Sequence, residues 1–177
     1  TIAREVGYRD GEIVFLTNRG SAQVALKKYE AAEIDLRQAI GLAGVTGSWI
    51  MPLAFIYRAE ALLGLGRYDE AFYSARQGLV LAEEDKTPEY IGLAWRTLGV
   101  ICSKTNRVLR FSEWDNHQAN DHDAETCFRR SMQILTDAEI DSERARTLRE
   151  WAHYVLKCGN RENGEKMWQE AREIFIK

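Results

Sequence analysis

Small residues recur at one spacing in four segments of the chain. In three segments a small residue is followed by a second after twelve positions and by a third after seven more, and in the remaining segment the first interval is 25. The positions are Gly20, Ala32 and Ala39; Ala59, Ala71 and Gly78; Gly99, Ala124 and Ser131; and Ala152, Gly164 and Ala171. Helices approach closely only where side chains are small, and seven residues return to the same helix face. The spacing predicts four antiparallel helix pairs.

Composition agrees with an all-α fold. The 177 residues include only two prolines, Pro52 and Pro88, and strand patterns are absent. Sandwiches and barrels need frequent turns and β-branched runs, so the sequence excludes them. Hydrophobic residues make up 45% of the chain and charged residues 29%, which is typical of a globular protein.

Charge and cysteine content exclude further classes of protein. Lys and Arg number 24 against 27 Asp and Glu, with the signs interspersed, whereas nucleic-acid binders usually carry a basic stripe. No apolar run approaches the roughly 20 residues that cross a bilayer. Cys102, Cys127 and Cys158 are widely spaced without a CxxC motif, which indicates reduced thiols in a cytoplasmic protein. We expect no nucleic-acid partner, no membrane partner and no cofactor.

The helix pairs define the expected organisation. We predict a single domain over residues 1–177, with residues 1–6 as the tail of an earlier helix. The predicted pairs cover residues 9–43, 48–84, 87–136 and 139–176, with an insertion at 106–119. Their helices are predicted at 9–27 with 28–43, 48–64 with 67–84, 87–104 with 120–136, and 139–157 with 160–176. Because Thr1 is not an initiator methionine, we expect the chain to be a fragment of a longer one.

The third segment carries a family motif. Trp95-x2-Leu98-Gly99-x2-Cys102, followed by Ala124-x3-Phe128, resembles the tetratricopeptide repeat (TPR) pattern W-x2-L-G-x2-Y…A-x3-F. The run from Gly66 to Ala71 is similar to the turn joining the two helices of such a repeat. The period is longer than the usual 34 residues, since Ala32 and Ala71 are 39 residues apart. The resemblance implies a right-handed superhelical solenoid of antiparallel helix pairs.

The last segment resembles one group within that family. Residues 142–152 and 164–175 are similar to the closing repeat of large bacterial signalling proteins. Those proteins carry long-period TPR arrays behind a regulatory ATPase, a transcription-factor domain or a nucleotide cyclase.

The resemblance also implies a binding groove lined by the first helix of each pair. The implied groove residues are Asn18, Ser21, Ile56, Tyr57, Glu60, Arg96, Val100, Arg146, Arg149 and His153. We expect the three arginines, with His153, to engage acidic groups on a peptide or a neighbouring domain. The alternative is that these arginines are solvated or paired with Glu60 and Glu150.

About 13 extra residues separate Gly99 from Ala124, near residues 106–119. Val108, Leu109, Phe111 and Trp114 are apolar, and exposing them together would be costly, so we expect them to fold back onto the helices. The alternative is a loop that docks a partner through Phe111 and Trp114.

No residue pattern indicates catalysis or metal binding. His117, Asp121, His122 and Asp123 lack a known ligand spacing, and we interpret them as a solvated loop ending in an Asp-rich helix start. The sequence has no glycine-rich phosphate loop and no G-x-S-x-G motif. We therefore expect a protein that is not an enzyme.

The expected function is that of a protein–protein interaction or scaffold module that binds a peptide or partner domain in its groove. The alternative is an intramolecular sensor or autoinhibitory arm of a multidomain signalling ATPase, cyclase or transcription regulator. Self-association through the C-terminal helix is also expected if Ile174, Phe175 and Ile176 leave its end apolar.

Overall fold

A computed structural model describes residues 2–44, 48–110 and 121–176. In these ranges the protein is all-α, with eight helices and one pair of two-residue strands. The chain divides into two compact units, Thr1–Tyr90 and Ile91–Lys177. A single domain over residues 1–177 stays a prediction.

Unit 1 contains four helices, and the start of a fifth. They are α1 (Ile2–Ala25), α2 (Tyr29–Ala43), α3 (Met51–Gly64) and α4 (Tyr68–Glu84). The predicted break after residue 6 is wrong, because α1 continues through Gly7 and Gly11. A glycine inside a helix costs about 1 kcal/mol relative to alanine, and without a proline nothing else stops this helix.

Unit 2 contains most of α5 (Pro88–Thr105), followed by α6 (Ala124–Asp137), α7 (Asp141–Lys157) and α8 (Arg161–Ile176). The predicted limits of these helices agree to within four residues. Asp123 caps α6, because its side chain accepts a hydrogen bond of 2.8 Å from the Thr126 amide. That hydrogen bond holds the pKa of Asp123 below its ordinary value. The Asp-rich helix start is therefore confirmed at this residue.

Most of the helices are followed by a residue in the left-handed conformation, with a positive φ. Gly66 and Gly159, expected in turns, have φ of 73° and 87° and follow α3 and α7. Glycine adopts this conformation without the steric cost that a side chain brings.

The predicted register of small residues is confirmed, because all twelve positions are buried. Their partners are large side chains on the other helix of the pair. A Cβ atom on Gly20 would lie 2.5 Å from Leu36 Cγ, and one on Gly99 would lie 2.9 Å from the Phe128 ring. Each pair therefore closes by seating a large residue against a small one, as close helix packing requires.

In unit 1 the third helix packs on the first pair. Ala32 and Leu36 of α2 form a buried cluster with Ala61 of α3, and Val24 and Tyr57 pack against it. A second cluster joins Ile13 and Leu16 of α1 to Ala39 and Ala43 of α2 and to Ile50, the residue before α3.

In unit 2 the core is centred on α6. Phe128 is fully buried, and its ring stacks with Trp151 and tilts against Tyr154, both of α7. Ser131 Oγ donates a hydrogen bond of 2.8 Å to the Gly92 carbonyl of α5 and lies 3.0 Å from Thr147 Oγ1 of α7. These contacts place α5, α6 and α7 together.

The insertion begins and ends as a short β-ladder that the sequence does not predict. Strand β1 (Leu109–Arg110) pairs antiparallel with β2 (Asp121–His122). Leu109 is buried, as expected, whereas Val108 is exposed. His122 is also buried, with its ring edge against Trp95, so the expectation of a solvated His122 is wrong. Phe111 and Trp114 lie outside the described residues.

None of the described helices combines the length and the apolar character needed to cross a membrane.

Candidate functional site

Arg96 lies in the interior of unit 2, not in an open groove. The residue is 6% exposed, and its Nη1 lies 2.5 Å from Oε2 of Glu143, which is also buried. Its position has a simple cause. A residue three positions before a small contact residue is rotated by about 60° from it around the helix axis. Arg96 therefore lies on the same contact face as Gly99. The same geometry buries Ile56, which precedes Ala59 by three residues. The expectation that Arg96 and Ile56 face a groove is therefore wrong.

Glu143 also pairs with an arginine at the surface of unit 2. Its second oxygen lies 3.1 Å from Nη1 of Arg146, whose side chain is half exposed. One carboxylate is therefore shared by a buried and an exposed arginine. Of the two arginines, Arg146 is the one that reaches the surface.

The exposed side of α7 carries one continuous stripe of residues. Arg146, Arg149, His153 and Leu156 are separated by three, four and three residues, the spacing of a single helix face. All four are exposed. Arg149 pairs with Glu150 at 2.9 Å, which confirms the alternative pairing for this residue. The stripe is basic in its first half and aromatic to apolar in its second half.

Helix α8 extends this surface. The His153 ring meets the Trp168 ring edge-on at 5.1 Å between centroids. His153, Leu156, Glu165 and Trp168 line an open cleft of about 260 Å³. Arg172 and Phe175 follow Trp168 along the same side of α8 and are exposed. We call this surface the α7–α8 face: Arg146, Arg149, His153, Leu156, Glu165, Trp168, Arg172 and Phe175.

The residues predicted from the sequence cover only part of the α7–α8 face. Arg146, Arg149 and His153 were among the predicted groove residues, but Trp168 was not. Trp168 is 42% exposed, although it occupies the repeat position of the buried Leu36. Glu165 was missed, and the repeat held a signal for it, because Glu33 stands at the corresponding position of the first pair.

The candidate residues of unit 1 do not form a comparable surface. Asn18 is exposed, and its carbonyl accepts a hydrogen bond of 3.0 Å from Ser21 Oγ. Tyr57 packs against the cluster around Leu36, and Glu60 is half-buried. In unit 2, Val100 is half-buried.

Two cysteine thiols lie together inside unit 2. Cys102 and Cys127 are both buried. A hydrogen bond with Cys102, together with burial, raises the pKa of Cys127 far above its ordinary value. A thiol that stays protonated is a poor nucleophile and a poor metal ligand. Cys158, at the end of α7, is exposed. Across the described ranges, no three His, Cys, Asp or Glu side chains are grouped as metal ligands would be.

Neither a protein-family model nor a curated protein matches this chain.

Proposed function

We propose that the protein is a helical-repeat interaction module of the TPR kind, which binds a partner protein or peptide and is not an enzyme. The proposal includes a right-handed superhelical arrangement of the helix pairs and a cytoplasmic location. The observation that carries it is the α7–α8 face, where aromatic, apolar and arginine side chains are exposed together. Trp and Arg are the residues most enriched where protein interfaces concentrate their binding energy.

The charge of the face supports an acidic partner as part of this proposal. Arg146 and Arg149 keep half-exposed guanidinium groups while their neighbours Glu143 and Glu150 neutralise part of the charge. Arg172 adds a third cation on α8. An acidic group on a partner would meet guanidinium donors that can bind a carboxylate through two hydrogen bonds.

The test is selection from a random peptide library displayed on phage, followed by measurement of affinity by fluorescence anisotropy. We expect enriched peptides to contain Asp or Glu beside an apolar residue. The double variant Arg146→Ala, Arg149→Ala should weaken their binding about tenfold or more. The matched control is Arg67→Ala, Arg129→Ala, which removes two exposed arginines that also pair with a glutamate three or four residues later or earlier in the sequence. Equal loss in both double variants would show that binding depends on overall charge and not on the α7–α8 face.

A further inference from the structure

The α7–α8 face has a counterpart in unit 1 that is covered by a helix. Ala152, Gly164 and Ala171 stand 132 residues after Gly20, Ala32 and Ala39, so the two helix pairs can be aligned position by position. Leu156 then corresponds to Val24, Glu165 to Glu33, and Trp168 to Leu36.

In unit 1 helix α3 covers these counterparts. Leu36 is fully buried in a cluster with Ala61 of α3, and Val24 and Tyr57 pack against that cluster. Their equivalents on the last pair, Trp168 and Leu156, are 42% and 38% exposed. The same two-helix surface therefore exists in a covered form and in an uncovered form within one chain.

The Glu33 carboxylate at this surface is paired with an arginine of the covering helix. Glu33 Oε1 accepts hydrogen bonds from Nε and Nη2 of Arg58, at 3.3 and 3.2 Å, and its side chain is only 8% exposed. Glu165 is the same residue type at the same repeat position, but its side chain is 59% exposed and pairs with the exposed Arg161 of its own helix. A basic residue on a covering helix would therefore find a carboxylate placed as Glu33 is placed for Arg58.

The other end of the face has the opposite charge. Val14 and Ala43, the counterparts of Arg146 and Phe175, share a cluster with Ile50 and Met51 at the start of α3. A helix lying on α7–α8 as α3 lies on α1–α2 would bring its first turn to the end that carries Arg146. Acidic residues in that first turn would pair with arginine and would also be favoured by the dipole of their own helix.

We propose that the α7–α8 face binds an amphipathic helix of a partner protein. That helix carries acidic residues in its first turn, a basic residue near its eighth position opposite Glu165, and an apolar face over Leu156 and Trp168. The inference rests on the proposed function, since it names the kind of partner that the interaction module takes.

Three synthetic peptides test the inference with the intact 177-residue protein. The first has the sequence of residues 50–65 with Met51→Glu and Leu53→Glu, stapled on its outer face so that the helix forms. The second is stapled in the same way and reverses the charges through Met51→Lys, Leu53→Lys and Arg58→Glu. The third is the first peptide without the staple and with Ala54→Pro and Ala59→Pro, which prevent a helix. Binding is measured by anisotropy of a dye on each peptide.

We expect the first peptide to bind about tenfold more tightly than the second, and the third not to bind. Trp168→Ala should weaken binding of the first peptide about tenfold or more, because an aromatic residue at the centre of an interface usually dominates its affinity. Glu165→Arg should weaken it and should recover affinity for a first peptide that also carries Arg58→Glu. The control Glu162→Arg changes an exposed carboxylate on the same helix, one that pairs with Lys166, and should leave binding within about twofold. Circular dichroism of each variant verifies that the fold is retained.

Three outcomes would overturn the inference. If the third peptide binds as well as the first, the face takes an extended chain, and the proposed interaction function stands without the helical partner. If the first and second peptides bind equally, or neither binds, the charge arrangement does not select a helix. If light scattering shows a dimer that Trp168→Ala dissociates, a second copy of this chain covers the face instead of a partner helix.

Discussion

The Glu143 carboxylate pairs with Arg96 inside unit 2 and with Arg146 at its surface. This double pairing determines what each arginine can do. Two charges taken out of water lose several kcal/mol of hydration each, which their mutual attraction restores only when the geometry is good. The Arg96–Glu143 contact of 2.5 Å provides that geometry. Arg96 is therefore a structural residue, and Arg146 is the one that can still reach a partner.

Removing Arg96 should unfold much of unit 2. Arg96→Ala leaves the Glu143 carboxylate buried beside Arg146 alone, and breaking a buried pair in this way costs about 3–5 kcal/mol. The double variant Arg96→Met, Glu143→Leu should cost less than Arg96→Ala, since no buried charge is left. Urea unfolding followed by circular dichroism measures both. A double variant less stable than the single one would contradict this account.

The pair formed by Arg19 and Asp35 predicts a dependence of stability on pH. Arg19 donates two hydrogen bonds of 2.6 Å to the carboxylate, and these hold the pKa of Asp35 below its ordinary value. A group whose folded pKa is lowered stabilises the protein above its unfolded pKa, about 3.9 for Asp, and loses that contribution as pH falls through the folded pKa.

Asp35→Asn should therefore lower the free energy of unfolding at pH 7, and its effect should shrink as the pH falls below about 4. Urea titrations of wild type and variant at pH 7 and pH 3 measure the difference. Glu125→Gln, which alters an exposed carboxylate paired with Arg129, is the control and should change little at either pH. A cost for Asp35→Asn that is the same at both values would show that its charge does not matter.

At the scale of single residues, the sequence predicted the exposure of some site residues but not the surroundings of others. Arg149 and His153 are exposed as expected, although Arg149 stands three residues before a small residue, the position at which Ile56 and Arg96 are buried. Arg96 is buried, because the groove register that the resemblance implies assigned it to an open surface, whereas its side chain lies at the contact with Glu143 of α7. Nothing in the sequence near Arg96 reveals Glu143, which lies 47 residues away.

Between helices, the glycines differ in what an added methyl group would meet. A Cβ on Gly78 would lie 2.8 Å from Ile56 Cγ1 and 3.0 Å from the Pro52 carbonyl, which belongs to the backbone. On Gly164 it would meet mainly the side chain of the partly exposed Leu156, and on Gly41 it would meet nothing within 4 Å.

These surroundings predict an order of stability for three alanine variants. Gly41→Ala should raise the free energy of unfolding by about 0.5–1 kcal/mol, because alanine favours the helix and meets no obstacle. Gly78→Ala should lower it by about 1–3 kcal/mol, because the backbone of α3 must shift. Gly164→Ala should fall between them, since Leu156 can rotate away. Thermal or urea unfolding gives the order, and a Gly78→Ala variant as stable as wild type would contradict the close approach of α3 and α4.

Elements were predictable where they depend on a repeated pattern. The small residues defined the helix pairs because close contact restricts side-chain size at every repeat. The start of α1 was not predicted, since Gly7 suggested a break that a continuous helix tolerates. Strands β1 and β2 were missed because two residues are too few to show an alternating pattern. The exposure of Trp168 was also missed, since its repeat position is buried wherever another helix covers it.

Across the whole molecule, each of the two units has its own buried side chains. Unit 1 is built on the clusters around Leu36 and Leu16, and unit 2 on the contacts of Phe128. Units with their own cores can fold alone.

A fragment of residues 87–177, which retains all of α5, should therefore be helical by circular dichroism and unfold cooperatively in urea. Arg96→Ala should abolish that transition in the fragment. A fragment of residues 1–86, which does not contain Arg96, serves as the control. A fragment 87–177 with the spectrum of a random coil would show that unit 2 needs unit 1 to fold.

The exposed thiol of Cys158 gives this protein a ready-made attachment point. Maleimides react with accessible thiols, and Cys102 and Cys127 are buried, so the folded protein should take up a single dye. Cys158 follows Leu156 by two residues at the end of α7. Two residues on a helix turn a side chain to nearly the opposite side, so a dye on Cys158 would lie away from the α7–α8 face. It would label the protein without blocking that face and with the natural sequence left unaltered.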